Sequence, residues 1–470
     1  MRLLHTTESR FGEFFDSDIP KYAILSHRWE DHEVSYQELL EVIKPSPIHT
    51  LLGTTPGTLD DPQFTKIQKC RDMAIKQNVQ WVWIDTCCIN KESSAELSEA
   101  INSMYRWYKN AAACFVYMSD VERTQLNAHG RKTDDFGNFL NSKWFTRGWT
   151  LQELLAPRRR VLFYDGNWDY FGDRESLAES IATRTHIDID YISYKDRSRR
   201  MVDRKSVFEA SVAERMSWVS RRRTSRIEDT AYCMLGLFDV NMPLLYGEGR
   251  RAFMRLQLEI IKKSDDESIF AWRRNMRGFL DWEIMQAAKF LKIDRMYMDQ
   301  RSFEWSVDTI LRDEGPEPQP GSSDAPIRQS FALHSGFLAQ EPADFTHSGH
   351  CKPYSMNYKI TRSLPYSITN QGLQFYVNTY QSSLDGLSRQ GDLFDLELSC
   401  YQGSTEPVSS NDDEQYAVPI IITLRKEVAG HRQQLWRRHE SRSFQGPPMR
   451  DTIPRDSMIG VPFYIRQDGL

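Results

Sequence analysis

The residues whose types could do chemistry lie at the ends of two apolar runs near the amino terminus. Ser26, His27, Arg28 and Trp29 end one run, and Asp85 ends the next. In a sheet of parallel strands, ligands bind just beyond the carboxyl ends of the strands, so these side chains should reach one ligand-binding rim. A structural role is as well supported for Asp85, which could cap a loop or helix. Ser26 and His27 could likewise satisfy backbone groups.

A second informative segment, residues 142–157 (SKWFTRGWTLQELLAP), follows the third apolar run. Trp149 and Glu153 are four residues apart, so on a helix they share a face, and Arg147 is close by. A carboxylate beside indoles and a guanidinium could face a ligand. The spacing alone favours the alternative, which is a structural Arg–Glu pair beneath a tryptophan-rich core.

Cysteines raise the question of a nucleophile or a metal site. Cys87 and Cys88 should lie near His27, but a zinc site needs about four nitrogen or sulfur ligands, and the sequence has no second cluster at usable spacing. Buried cysteines that pack like apolar residues are favoured, with a Cys–His dyad as the weaker alternative. Because the seven cysteines are odd in number and scattered, we expect free thiols.

Other chemical signatures are sparse. The sequence contains no Walker loop and no GxGxxG, GxSxG, HExxH or CxxC motif, so most enzyme classes lose support. The basic run 221–226 (RRRTSR) is typical of a solvated or locally paired surface. It could instead bind an anion, a phosphorylated ligand or a neighbouring acidic face.

The elements that must position these residues are strands alternating with helices. Continuous apolar runs predict buried strands at 22–26, 79–85, 113–118 and 160–164, as strands covered on both faces require. Helical spacing predicts helices at 62–78, 93–110 and 142–156, with Ser93 as a helix cap. This alternation predicts a parallel sheet with helices on both faces.

The remainder of the chain changes character twice. Helices are predicted at 173–184, 206–219, 226–238 and 249–263, whereas alternating patterns predict antiparallel strands at 372–379, 392–400, 416–424 and 461–466. Residues 313–325 are rich in proline, glycine and serine and indicate a disordered insertion. We therefore divide the chain into an α/β domain (1–265), a connecting segment (266–335) and a β-rich domain (336–470).

Composition limits the partners and the location. The 470 residues carry 60 basic and 65 acidic side chains, for a formal net charge of −5, too balanced for a protein that mainly binds nucleic acid or an anionic membrane. No apolar stretch approaches the roughly 20 residues that span a bilayer. The amino terminus lacks the apolar segment of a secretory signal, so we expect a cytoplasmic protein.

Four ordered motifs resemble those of the fungal heterokaryon incompatibility (HET) domain. They are YAILSHRW (22–29), WIDTCCIN (83–90), RGWTLQEL (147–154) and RIEDTAYCMLG (226–236). The continuation MPLLYGEG (242–249) also resembles a version of the family that has a β-rich extension. The resemblance covers residues 1–265 and implies a role in fungal non-self recognition, in which activation of the domain triggers cell death.

The HET domain in turn remotely resembles the Toll/interleukin-1 receptor (TIR) fold, some members of which cleave NAD. This resemblance implies a TIR-like, doubly wound parallel sheet with helical elaborations, followed here by the β-rich region. It makes Glu153 the catalytic carboxylate, which would stabilise an oxocarbenium-like ribose. Arg147 or Arg28 would hold the pyrophosphate, and a ring would stack on Trp29, Trp144 or Trp149. The implied substrate-binding residues are Ser26, His27, Arg28, Trp29, Asp85, Arg147 and Trp149.

Two functions follow from the resemblance. In one, the chain is a cell-death effector that hydrolyses NAD as a substrate, with no bound cofactor and no metal. In the other, it is a non-catalytic scaffold that assembles with partner proteins to trigger cell death. Either would be activated by self-association or by an incompatibility partner of the nucleotide-binding receptor (NLR) type. The β-rich region would regulate or recognise, because its polar residues form no acid–base or metal cluster.

Overall fold

The computed structural model describes residues 1–44, 61–122, 137–272 and 338–353, apart from 194, 198–199, 203 and 347, together with six strands between 364 and 465. The insertion predicted near 313–325 lies outside the described residues, as does most of the connecting segment predicted at 266–335.

A seven-stranded sheet forms the centre of the N-terminal half. In chain order its strands are β1 (Arg2–His5), β2 (Phe11–Glu13), β3 (Tyr22–His27), β4 (Trp81–Trp83), β5 (Ala113–Tyr117), β6 (Arg160–Tyr164) and β7 (Tyr170–Asp173). Their spatial order is β2-β1-β4-β3-β5-β6-β7. The four inner strands β4, β3, β5 and β6 are mutually parallel. On one side β1 pairs antiparallel with β4, and the edge strand β2 pairs antiparallel with β1. On the other side the edge strand β7 pairs antiparallel with β6.

The predicted α/β class and the four predicted parallel strands are confirmed. The sheet is nevertheless mixed, not parallel throughout, because short strands that we did not predict complete both edges. Burial explains why the inner strands were predictable: every residue of β3 is buried, as a continuous apolar run requires. The edge strand β2 has no buried residue, so its sequence carries no such run.

Helices cover the sheet. They are α1 (Tyr36–Ile43), α2 (Thr65–Lys76), α3 (Asp85–Cys88), α4 (Ser94–Asn110), α5 (Gly137–Asn141), α6 (Thr150–Leu155), α7 (Ala178–Thr185), α8 (Ile189–Ile192), α9 (Val212–Val219), α10 (Asp229–Tyr232) and α11 (Arg251–Lys263). The predicted helices 62–78 and 93–110 are confirmed, and Ser93 accepts a hydrogen bond from the Glu96 N–H. The helices α7, α9, α10 and α11 all begin later than predicted. Within the described parts of the chain, no helix is long and apolar enough to cross a membrane.

The single helix predicted over 142–156 is wrong. A short 3-10 turn (Lys143–Thr146) is followed by Arg147 in an extended conformation, with φ −84° and ψ 135°, and α6 begins only at Thr150. The break lets the Gly148 N–H donate to the Arg223 carbonyl at 2.8 Å, while the Arg223 N–H donates to Thr146 at 2.7 Å. A Cβ at Gly148 would lie 2.6 Å from the Thr224 methyl group, so glycine is required at this close approach.

The C-terminal region contains a second seven-stranded sheet, and β8 (Lys195–Arg197) and β9 (Arg200–Val202) form a separate hairpin. The strands of the second sheet are β10 (Cys351–Pro353), β11 (Leu364–Thr369), β12 (Gly372–Thr379), β13 (Leu393–Gln402), β14 (Val418–Glu427), β15 (Leu435–Ser443) and β16 (Ile459–Ile465). The order is β10-β13-β14-β15-β16-β12-β11. Four of these strands overlap the four that we predicted, and the domain division at 265 and 335 stays a prediction.

Residues 338–353 pack against the N-terminal half. The Gln257 side chain on α11 donates to the Ala339 carbonyl at 2.8 Å and accepts from the Ala339 N–H at 2.9 Å. Phe345 is fully buried, and the Ser211 hydroxyl donates to the Cys351 carbonyl at 2.6 Å. These contacts join residues 338–353 to the core of the N-terminal half.

Candidate functional site

Glu153 and Ser26 meet where α6 packs beside the carboxyl end of β3. The Ser26 hydroxyl donates to Glu153 Oε2 at 2.5 Å, and Trp144 Nε1 donates to Ser26 Oγ at 3.0 Å. All three side chains are buried. The topology therefore joins two residues that are 127 positions apart in sequence, as the predicted rim of the sheet required.

Burial dominates the chemistry of Glu153. Its residue is only 6% exposed, and this desolvation raises the pKa of its carboxyl group to about 8, with the negative charge of Asp85 adding to the rise. The hydrogen bond from Ser26, the charge of Arg147 and the contact with the Tyr108 hydroxyl act in the opposite direction. The carboxyl group is thus largely protonated at neutral pH in this conformation. No ion pair to Glu153 is found among the described residues, so the structural Arg–Glu pair considered for this segment is not formed.

His27 lies between two carboxylates. Its Nδ1 is 3.8 Å from Asp85 Oδ1, and its Nε2 is 3.5 Å from Glu33 Oε2. Burial raises the pKa of Glu33, but bonds from His27, Lys66 and the Glu30 N–H outweigh it and hold that pKa at about 2. Glu33 is therefore an anion beside the His27 ring.

The solvent-facing part of the site is formed by Trp29 and two cations. Trp29 is 37% exposed, and its Nε1 donates to Asp85 Oδ2 at 2.8 Å. The Lys91 ammonium lies 3.8 Å from the Trp29 ring centroid and the Arg147 guanidinium 5.0 Å from it. Burial lowers the pKa of Lys91, although Asp85 opposes this effect. An aromatic ring beside two cations can hold a ring and a phosphate of one ligand.

The structure describes two further residues of the predicted set. Trp149 lies at the N-terminal end of α6 with helical backbone angles, φ −60° and ψ −36°, and its indole bonds to Asp229. Asp229 also accepts from the Tyr246 hydroxyl at 3.0 Å. Arg28 is exposed on the loop after β3. The structure therefore brings together Ser26, His27, Trp29, Asp85, Arg147 and Glu153 from the predicted set.

Sequence reasoning missed Tyr108, Lys91 and Glu33. Tyr108 lies on the buried face of α4 and donates to the Leu25 carbonyl at 2.8 Å. Lys91 directly follows the motif 83–90, and Glu33 follows the motif 22–29 by four residues. The sequence offered one signal for Lys91 and Glu33, which is that each closely follows a motif predicted to lie at the same rim.

The basic run 221–226 is locally paired, one of the two alternatives considered. Arg222 is partly buried and donates to the Arg147 carbonyl at 3.0 Å and to the Thr150 hydroxyl at 2.9 Å. Burial lowers its pKa to about 10. Arg221 contacts His186, and Arg226 stacks 4.4 Å from the Tyr246 ring centroid. Arg222 therefore holds the start of α6 in place.

The cysteines are free and buried wherever the structure describes them. A hydrogen bond to Cys88, together with burial, raises the pKa of the Cys87 thiol well above its ordinary value, which disfavours a nucleophilic thiolate. Across the described residues, no group of three or more histidine, cysteine and acidic side chains is arranged to hold a metal ion.

The N-terminal part of the chain is similar to known proteins. Residues 22–136 match the family model described as heterokaryon incompatibility protein (HET). The chain is 41% identical over 249 residues to the vegetative incompatibility protein HET-E-1 of Podospora anserina. That match covers 53% of this chain and 16% of the relative's length. No solved structure matches the chain. We conclude that the N-terminal part of this chain is similar to the heterokaryon incompatibility (HET) family, over residues 22–136 of the family model.

Proposed function

We propose that this chain is an effector of fungal heterokaryon incompatibility, acting in the cytoplasm to trigger cell death after non-self recognition. The matched family model and the 41% identity to a vegetative incompatibility protein support this role. The match covers 16% of that relative's length, so the way in which the relative is activated does not carry over to this chain. The signal that activates this chain is therefore proposed separately. We propose activation by self-association or by an incompatibility partner of the NLR type.

The proposed chemistry is hydrolysis of NAD at the bond between nicotinamide and ribose, in a TIR-like site. The observation that carries it is a buried carboxyl group, Glu153, with a pKa raised to about 8, beneath a rim that carries Trp29, Lys91 and Arg147. Titratable groups perturbed in this way cluster at functional sites. The rim offers a stacking surface and two cations, which suit the ring and the pyrophosphate of a dinucleotide.

In this mechanism Glu153 acts as a carboxylate. Nicotinamide leaves with the electrons of the glycosidic bond, and the ribose becomes an oxocarbenium-like cation that the carboxylate stabilises. Water then adds to the ribose and releases a proton, so that NAD and water become ADP-ribose, nicotinamide and a proton. The positive nicotinamide ring of the substrate favours the ionised form of Glu153 when it binds.

The scaffold alternative also has an observation in its favour. A catalytic carboxylate needs access to its substrate, whereas the Glu153 residue is only 6% exposed and its carboxyl group accepts a hydrogen bond from the buried Ser26. Catalysis would require Trp29 or its neighbours to move, for example on self-association. A scaffold would need no such movement.

The pH dependence of nicotinamide release tests the enzymatic proposal. The chain, fused to an inducible dimerisation module, is incubated with NAD at pH 6, 7, 8 and 9. Since kcat/KM reports the ionisation of the free enzyme, we expect it to rise about tenfold per pH unit below pH 8 and then level off. Absence of NAD consumption by the dimerised, folded protein, with cell killing intact, would favour the scaffold.

The role of the C-terminal sheet is tested by truncation. We expect residues 1–353 to fold and to kill cells, because they keep Phe345 and the Gln257–Ala339 contacts. A chain of residues 1–265 should lose at least about 3 kcal/mol of unfolding free energy, the usual cost of emptying a buried phenylalanine site. Urea unfolding and a cell-killing assay measure both effects. Loss of killing by folded 1–353 would place the second sheet in the active unit.

A further inference from the structure

A cavity of about 480 Å³ opens at the amino ends of the parallel strands, on the edge of the sheet opposite to Glu153. Lys21 precedes β3 and Arg160 begins β6, and both line the cavity. Ser26, at the other rim, is five residues beyond Lys21, a separation of about 16 Å along an extended strand. This cavity is therefore distinct from the candidate site.

The lining of the cavity is basic. Lys21, Arg158, Arg159 and Arg160 line it, against a single acidic residue, Glu175, and all four cations are exposed residues. The Glu175 carboxylate is also 3.4 Å from Arg174 Nη2, so part of its charge is already balanced from within the fold. The cavity consequently carries an excess of positive charge, which attracts anions.

The arrangement of the arginines suits phosphate groups. A guanidinium binds a phosphate through two parallel N–H bonds, and three of them follow one another in the chain at this cavity. Arg160 Nη1 donates to Gln77 Oε1 at 3.1 Å, which holds that side chain in place at the cavity wall. The buried residues Val79 and Ala113 supply apolar surface to the lining.

We propose that this cavity binds a small molecule that bears two or more adjacent phosphates. A single phosphate can contact only one or two of the cations that line the cavity, whereas a chain of phosphates can contact several of them at once. The volume of about 480 Å³ accommodates either an inorganic polyphosphate or a nucleoside triphosphate. The shared chemistry is the polyphosphate group, and the test separates the two sources.

The variants are chosen to spare the structural network next to the cavity. Arg174 donates to the carbonyls of Leu154 and Pro157 at 3.1 and 2.8 Å and so holds the end of α6, and for this reason it is left unchanged. The cavity variant is Lys21→Gln with Arg159→Gln. The control variant is Arg251→Gln with Lys262→Gln, which removes the same charge from exposed positions on α11.

Titration calorimetry of the full-length chain with inorganic tripolyphosphate is the test. We expect one equivalent to bind to the wild type and to the control variant. Binding to the cavity variant should be at least about tenfold weaker, since each charge-assisted hydrogen bond to phosphate is worth about 1.5 kcal/mol or more. Thermal unfolding without ligand verifies that both variants fold. Absence of binding to the wild type, equal binding to the cavity variant, or equal losses in both variants would overturn the proposal.

A second titration with ATP identifies the source of the polyphosphate. ATP binding that is at least about tenfold tighter than tripolyphosphate binding, and that is weakened by the cavity variant, would identify a nucleotide site with contacts to the base. Equal affinities would identify a site for the polyphosphate alone. Both results support the proposal, and ATP binding that the cavity variant leaves unchanged would contradict a nucleotide at this site. These assays involve neither NAD nor Glu153, so they stand apart from the proposed activity.

Discussion

Replacement of Glu153 by glutamine is expected to lower the rate of nicotinamide release by two to three orders of magnitude while the chain stays folded. The variant keeps the size of the side chain and an oxygen that can accept the Ser26 hydrogen bond. It removes the charge that stabilises a cationic transition state, and loss of such preorganised stabilisation costs about 3 to 4 kcal/mol. Because Glu153 contacts the hydroxyls of Ser26 and Tyr108, the substitution strands no buried counter-charge.

The measurement pairs NAD consumption with cell killing and thermal unfolding. Glu179→Gln is the matched control, because Glu179 is exposed on α7 and the substitution removes the same charge. We expect the control to behave as the wild type does. If Glu153→Gln folds, kills cells and consumes no less NAD than the control, the enzymatic proposal is wrong. If it folds and kills but neither protein consumes NAD, the scaffold function is supported.

The centre of the sheet was predictable from sequence because its strands are buried on both faces. Runs such as 22–26 and 113–118 are continuously apolar, and their neighbours in the sheet follow from the alternation of strands and helices. The edges were not predictable, since β1 and β2 are short and β2 is not buried. The break before α6 escaped prediction for a different reason. It is imposed by pairing of Arg147 and Gly148 with Arg223, a contact between residues about 75 positions apart.

The sequence indicated that Ser26, Asp85 and Glu153 share one rim of the sheet, but it gave no indication of Tyr108 on α4. Residues at the carboxyl end of a parallel strand must share a rim, so the proximity of Ser26 and Asp85 to Glu153 followed from topology. Tyr108 was missed because, in the sequence, a tyrosine on the apolar face of α4 cannot be distinguished from an ordinary core residue.

The stability of the folded chain should also depend on the ionisation of Glu153. The pKa of its carboxyl group is raised to about 8 in the folded protein, against about 4.3 in an unfolded chain. Between these two values the folded state holds a proton that the unfolded state has released, so the unfolding free energy falls as pH rises. The loss is about 1.4 kcal/mol per pH unit, on the order of 5 kcal/mol over the whole interval.

Glu153→Gln removes this titration. The unfolding free energy of the variant minus that of the wild type should therefore increase from pH 5 to pH 8 by several kcal/mol, at about 1.4 kcal/mol per pH unit. At pH 5 the wild-type carboxyl group is protonated in the fold, as burial requires, and glutamine offers little advantage. At pH 8 the wild type has lost almost all of the stabilisation that the bound proton provided at low pH. The glutamine of the variant carries no charge at any pH, so its burial costs the same at pH 8 as at pH 5. Urea unfolding of the wild type, Glu153→Gln and Glu179→Gln at each pH unit measures the difference. A constant difference between wild type and Glu153→Gln across this range would show that the carboxyl group of Glu153 ionises in the fold as readily as in water.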